Sequence, residues 1–144
     1  MLVVVAIIGL IAAISYPSAA AGIESARLIS ATDSVAVFLN GAVNRVERRQ
    51  QPIELTISPR ENRLTMYSNE PGFTRELKMP DGIAIEAILP AVQEDAEDAR
   101  RLLLLPGATV PGIGIQLGNR RGLHRIVRLD PMTGFPRVES VTKE

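Results

Sequence analysis

The chain has no cysteine and no tryptophan, and aromatic residues make up only 3% of it. Without cysteine there is no disulfide framework and no thiolate metal site, and the usual mark of an oxidising compartment is missing as well. So few aromatics argue against stacking platforms for bases or sugars. The 16 basic and 16 acidic residues cancel, so global charge points neither to nucleic acid nor to an acidic partner. Charge is also missing locally: no Asp, Glu, Lys or Arg precedes Glu24. In a chain of 144 residues, the portion from Glu24 onward is enough for one small domain with a modest core.

The uncharged stretch reads MLVVVAIIGLIAAISYPSAAAGI, with Ser15, Tyr16 and Ser18 as its polar interruptions. About twenty apolar residues in a helix span the hydrocarbon core of a bilayer, so residues 1–23 are expected to form a transmembrane helix. Two other readings compete with it. A cleaved signal peptide would find small residues for its cut in Ala19-Ala20-Ala21, but no Lys or Arg precedes the apolar run. A buried core helix would need protein on every side, which a chain this small cannot supply. Pro17 deletes one intrahelical hydrogen bond and crowds the preceding turn, and Gly9 is a second weak point. A helix that bends at a defined depth is the expectation.

From Ala19 onward the apolar spacing becomes one-sided. Ile23, Leu28, Ala31, Val35, Phe38, Leu39, Ala42 and Val46 recur mostly at intervals of three and four, while Asp33, Ser34, Asn44, Glu47 and Arg48 fall on other faces. This predicts an amphipathic continuation of the helix over residues 24–51, stopped by Pro52 and packed on the protein's own sheet.

Residues 52–144 read as a β-rich domain. Ile53-Glu54-Leu55-Thr56-Ile57 alternates as a half-buried strand should, Pro59-Arg60-Glu61-Asn62 turns, and Leu64-Thr65-Met66-Tyr67 returns. Further strands are expected over 73–79, 83–88, 112–117, 124–129 and 136–141, with the apolar Leu102 to Leu105 as a wholly buried strand. Between them, Gln93 to Arg101 is a polar insertion, where Asp95 or Glu97 would face Arg101 or Arg100 if a short helix formed. Short strands separated by turn signals imply one or two antiparallel sheets, and the fold class is therefore α+β: a long N-terminal helix packed on a small antiparallel β domain.

Those residues carry a resemblance. LVVVAIIGLIAAISYPS, through Val3-Val4-Val5, Ala6-Ile7-Ile8-Gly9, Ala12-Ala13 and Tyr16-Pro17, resembles the N-terminal helix of type IV pilins and type II secretion pseudopilins. Arg48-Arg49-Gln50-Gln51-Pro52 before an alternating strand, Arg75-Glu76-Leu77, and Pro80-Asp81-Gly82-Ile83 are similar to the central region of minor pseudopilins of the GspH/FimT family. Arg125-Ile126-Val127 with Asp130-Pro131-Met132-Thr133-Gly134 resembles that family's closing hairpin. The resemblance implies a single-pass protein of the bacterial inner membrane with its domain in the periplasm, entering a filament near its tip. Its partners would be other pseudopilins or pilins, met through Val3, Val4, Ile7, Ile8, Gly9, Ile11 and Pro17, and the lipid of the inner membrane.

The pattern departs from the family at one point. A prepilin peptidase there cuts after a glycine, and Phe-Thr-Leu-x-Glu comes directly after the cut. Aligning Gly9 and Pro17 places that glutamate immediately before Met1. The expectation is that Met1 is an internal methionine, with the leader, the peptidase site and the methylated phenylalanine encoded upstream.

No catalytic constellation is visible. His124 is the single histidine and lacks a cysteine or second histidine for a metal site. There is no Gly-x-Ser-x-Gly elbow, phosphate loop or His-Glu-x-x-His helix. The carboxylates gathered at Glu94 to Asp98 sit in too polar a stretch to form a tuned acid–base pair. Asp130 can imitate a calcium ligand, but the Asp-Pro-Met-Thr-Gly turn explains it without one. A non-enzymatic protein without cofactor or metal is expected.

One basic feature remains: Arg120, Arg121, Arg125 and Arg128, joined by Arg137. Some FimT-like minor pilins are associated with DNA uptake, so a DNA-binding minor pilin is the alternative reading. Arg125 is out of phase with His124 and Arg128, which splits the set across a strand. A secreted binding protein behind a signal peptide is the third.

Overall fold

A computed structural model describes residues 1–92 and 99–141. Its first element, α1 (Leu2–Arg49), is one unbroken helix of 48 residues, with Pro17 inside it. At 1.5 Å per residue it is about 72 Å long. The helix stops two residues short of the expected boundary at 51. Gln50 turns left-handed at φ 53°, its amide Nε2 donates to the Glu47 carbonyl at 2.7 Å, and Pro52 cannot continue the ladder. Arg48 and Arg49 occupy the last turn, where cations complement the carbonyl end of the helix.

Eight strands come after it: β1 (Ile53–Ser58), β2 (Arg63–Ser68), β3 (Thr74–Lys78), β4 (Ile83–Leu89), β5 (Arg100–Leu104), β6 (Gly114–Asn119), β7 (His124–Leu129) and β8 (Pro136–Val141). They form two four-stranded sheets, ordered β3-β2-β1-β5 and β4-β6-β7-β8. Every neighbouring pair is antiparallel. The chain leaves the first sheet after β3, returns to it for β5, and goes back to the second for β6.

The second half of α1 fills the space these sheets enclose. Leu28, Ala31, Val35, Leu39, Ala42 and Val46 are buried, and they join Leu55, Ile57 and Leu64 of the first sheet and Ile115, Leu117 and Val127 of the second in one core. Six of the eight stripe residues read from the sequence are thus buried; Phe38 is partly buried and Ile23 is exposed. Thr32 lies among them without an orphan hydroxyl, because its Oγ1 donates to the carbonyls of Leu28 and Ile29.

Strand positions match the alternation within one or two residues, with one correction. Leu102 to Leu105 is not a wholly buried strand. Leu104 is buried, but Leu103 and Leu105 are exposed, because successive side chains of a strand point to opposite faces and only the inner face of the first sheet meets the core. The ion pairs expected of Asp95 and Glu97 lie outside the described residues; Arg100 and Arg101 open β5.

The two halves of α1 should respond differently to truncation. Leu39→Ala should cost about 2–5 kcal/mol of head stability, whereas Ile8→Ala should leave it within about 0.5 kcal/mol. Hydrogen exchange of β7 amides in the full chain, held in detergent micelles under rising denaturant, measures both.

Candidate functional surfaces of the helix and the head

Ahead of Glu24 the helix meets almost nothing. Val3, Val4, Ile7, Ile8 and Ile11 are each more than half exposed, no atom lies within 4 Å of where a side chain at Gly9 would begin, and Pro17 is exposed. The expected assembly residues therefore stand on a bare rod. It is long and apolar enough to cross a membrane, and its most apolar 18-residue window is 0% buried within the protein.

Beside the head, α1 and the first sheet leave an apolar groove of ≈ 770 Å³, lined by Ile29, Val37 and Phe38 of the helix and by Met66, Phe73 and Leu77. The Arg45 guanidinium closes one end, stacked 3.4 Å over the Phe73 ring and bonded to Glu70 at 2.6 Å. Sequence periodicity had Phe38 simply packing on a sheet. The groove brings residues of α1 together with residues of β2 and β3 that are distant in sequence, which no local pattern carries.

The arginines of the basic set are not brought together. Arg120 and Arg121 occupy the exposed turn after β6. Arg125 alternates with the buried Val127 and Leu129 and so faces the helix side of the second sheet. Arg128 faces the other way and lies 3.6 Å from Glu139, and Arg137 lies 3.5 Å from Asp130.

His124 has a partner that sequence reasoning missed. Its Nδ1 is 2.6 Å from Glu86 Oε2, although off the line of a hydrogen bond. Glu86 is the extra residue of a β-bulge in β4. Its carboxylate lies directly over Gly118 and accepts a hydrogen bond from Gln116 Nε2 at 3.1 Å. Gly118 is bare because the carboxylate occupies the space that a side chain would take. The arrangement ties β4 to β7 across β6. Its one legible signal was a glycine in the middle of a strand pattern.

Asp130 makes its turn as the sequence suggested. Oδ1 accepts the Met132 N–H at 2.8 Å, and the Asp130 carbonyl accepts the Gly134 N–H at 2.8 Å, with Gly134 in the left-handed region at φ 71°. The Met132 amide first, and then the Thr133 amide and Arg137, hold the carboxylate below its usual range against the opposing effect of burial. Among the described residues no group of three or more His, Asp and Glu side chains gathers to hold a metal.

Comparison with protein-family models, curated proteins and solved structures finds no significant match.

The Asp130 turn makes a pH-dependent contribution. A carboxyl whose folded pKa is depressed stabilises the head above its unfolded pKa and loses that contribution as pH falls through the folded value. Denaturant midpoints measured from about pH 6 to about pH 3 should fall less steeply for Asp130→Ala than for the natural chain.

Proposed function

We propose that this chain is a non-enzymatic, membrane-anchored filament subunit: a minor pseudopilin of a type II secretion system or a related type IV pilus system. The observation that carries this reading is a single helix shared between two environments. Its first 23 residues are uncharged and have no protein to cover their apolar surface, while its second half is the centre of the head's core. The anchor spans the inner membrane, and the head stands in the periplasm.

Assembly is the mechanism. Before entering a filament, the exposed residues of α1 dissolve in lipid; afterwards they pack against the corresponding helices of neighbouring subunits. Lipid tails are as apolar as Leu or Ile, so the transfer gains little from the hydrophobic effect. It depends instead on close packing, which the small residues Gly9, Ala12 and Ala13 permit. The head supplies the lateral contacts. The resemblance of residues 2–18 to the pilin helix supports the family assignment.

DNA binding is the weaker reading. It would need Arg120, Arg121, Arg125 and Arg128 on one surface, and the second sheet turns Arg125 and Arg128 to opposite faces.

Ile7→Asp tests the proposal. An aspartate inside the span raises the insertion free energy by up to about 3–4 kcal/mol, the value at the helix centre. The variant should leave the alkali-resistant membrane fraction and fail to enter filaments, with the head still folded. An Ile7→Asp chain that stays in the membrane and assembles normally would count against the anchor. So would a mature N-terminus near Ala21 by mass spectrometry, since that cut marks a signal peptide.

A further inference from the structure

The end of the head from which the apolar helix emerges can be traced through hydrogen bonds and strand register. Asn119 Nδ2 donates to the Glu24 carbonyl at 3.4 Å. Asn119 is the register partner of Ile83, and the Ile83 carbonyl accepts from Asn62 Nδ2 at 2.7 Å. The Asn62 side chain also accepts from the Ile85 amide at 2.8 Å, and its carbonyl from the Met79 amide at 3.0 Å. Three turns, after β1, β3 and β6, are thereby gathered around the helix at Glu24. Residues 1–23 extend beyond this end by about 34 Å at 1.5 Å per residue. The hydrocarbon core is about 30 Å thick, so a spanning α1 presses these turns into the headgroup layer.

The charges on this end are unequal. Arg60, Lys78, Arg120 and Arg121 are exposed, and among the described residues none of their side chains has an ion-pair partner, as none of the described ion pairs includes them. Asp81 is an exposed anion among them, and the Glu24 carboxylate lies beside Arg120, both within 4 Å of where a side chain at Gly82 would begin. Arg27 is matched by Glu24 at 3.7 Å, and Arg63 by Glu61 and Glu76. At the close of the β6–β7 turn, where its carbonyl accepts the Asn119 amide at 3.1 Å, Leu123 is 48% exposed, two residues from Arg121. The turn is rigid: Asn119 Oδ1 accepts the amides of Arg121 and Leu123 at 3.1 and 3.0 Å, and Gly122 supplies the positive φ of 79°. A turn that carries two arginines and closes on an exposed leucine suits an interface, where guanidinium groups fork onto phosphates and the leucine meets the acyl boundary.

We propose that this end of the head is a binding surface for anionic phospholipid headgroups, held by Arg120 and Arg121 around Leu123, with Arg60 and Lys78 at its rim. The surface holds the head upright on the membrane before assembly and must be released when the subunit enters a filament. The proposal rests on the membrane-anchored reading of the chain.

The absence of cysteine makes single-site labelling direct. Full-length chains carrying Leu123→Cys or Ile8→Cys, each with a nitroxide, are reconstituted in phosphatidylcholine vesicles with and without one third phosphatidylglycerol. Depth is read from accessibility to oxygen against a water-soluble nickel chelate. A cation near an anionic surface strengthens its association roughly fivefold. Label 123 should therefore move from water to the interface in anionic vesicles, with the ratio of the two populations changing more than tenfold. Arg120→Gln with Arg121→Gln should reverse the move, as should high salt, with β7 amide protection unchanged. Label 8 should lie in lipid throughout.

Label 8 in water would overturn the membrane reading itself. Label 8 in lipid with label 123 in water in both vesicles would overturn only the headgroup surface. Duplex DNA that displaces label 123 from anionic vesicles, and does so only while both arginines are present, would overturn it in favour of nucleic acid.

Discussion

Apolar surface that a protein does not cover must be covered by something else, and here that surface is the whole of α1 ahead of Glu24. At roughly 25 cal/mol per Å², a bare rod of valine, isoleucine and leucine is costly to leave in water. The head cannot fold back over it, because its own core is already occupied by the far half of the same helix. In the proposed function, lipid and then the helices of sister subunits cover it without leaving a polar backbone group unpaired, since a helix satisfies its own hydrogen bonds. The proposed anchoring and assembly both stem from that one requirement.

The helix is also what joins the two environments mechanically. Its buried stripe, from Leu28 to Val46, is enclosed by strands of both sheets. The chain continues toward the N-terminus as the same helix, with Pro17 inside it and no loop between the two halves. Under the proposed anchoring, the orientation of the head relative to a bilayer would depend on core packing. In the proposed membrane-anchored state, that packing sets which turns would face lipid. It gives Arg120 and Arg121 a meaning that neither their sequence neighbourhood nor their charge supplies.

Much of the architecture was legible because it rests on short-range periodicity. The spacing of Leu28, Val35, Leu39 and Val46 predicts a helix with one buried face, and the alternation of Ile53, Leu55 and Ile57 predicts a strand with one. Asp130 to Gly134 reads as a turn because Asp and Gly each serve a local backbone need there. Leu103 was misread because four leucines in a row carry no period. Which faces of a strand are covered depends on what packs on its sheet, and only the inner face of the first sheet meets the core. The pairing of His124 with Glu86 was invisible for a related reason. It joins residues nearly forty apart in sequence through a bulge and a bare glycine, and neither leaves a periodic trace.

Uncharged apolar length, helical spacing and turn chemistry are properties of neighbours along the chain, and from them the sequence specified a lipid-sized helix, its amphipathic continuation and a set of antiparallel strands. Register, sheet order and the packing of α1 between sheets are properties of residues distant along the chain, and the tertiary structure alone decided them. The groove beside Phe73, the tie between His124 and Glu86, and the gathering of three turns around Glu24 belong to this second kind. Each requires side chains far apart in sequence to meet, and only the closure of a shared core brings them together.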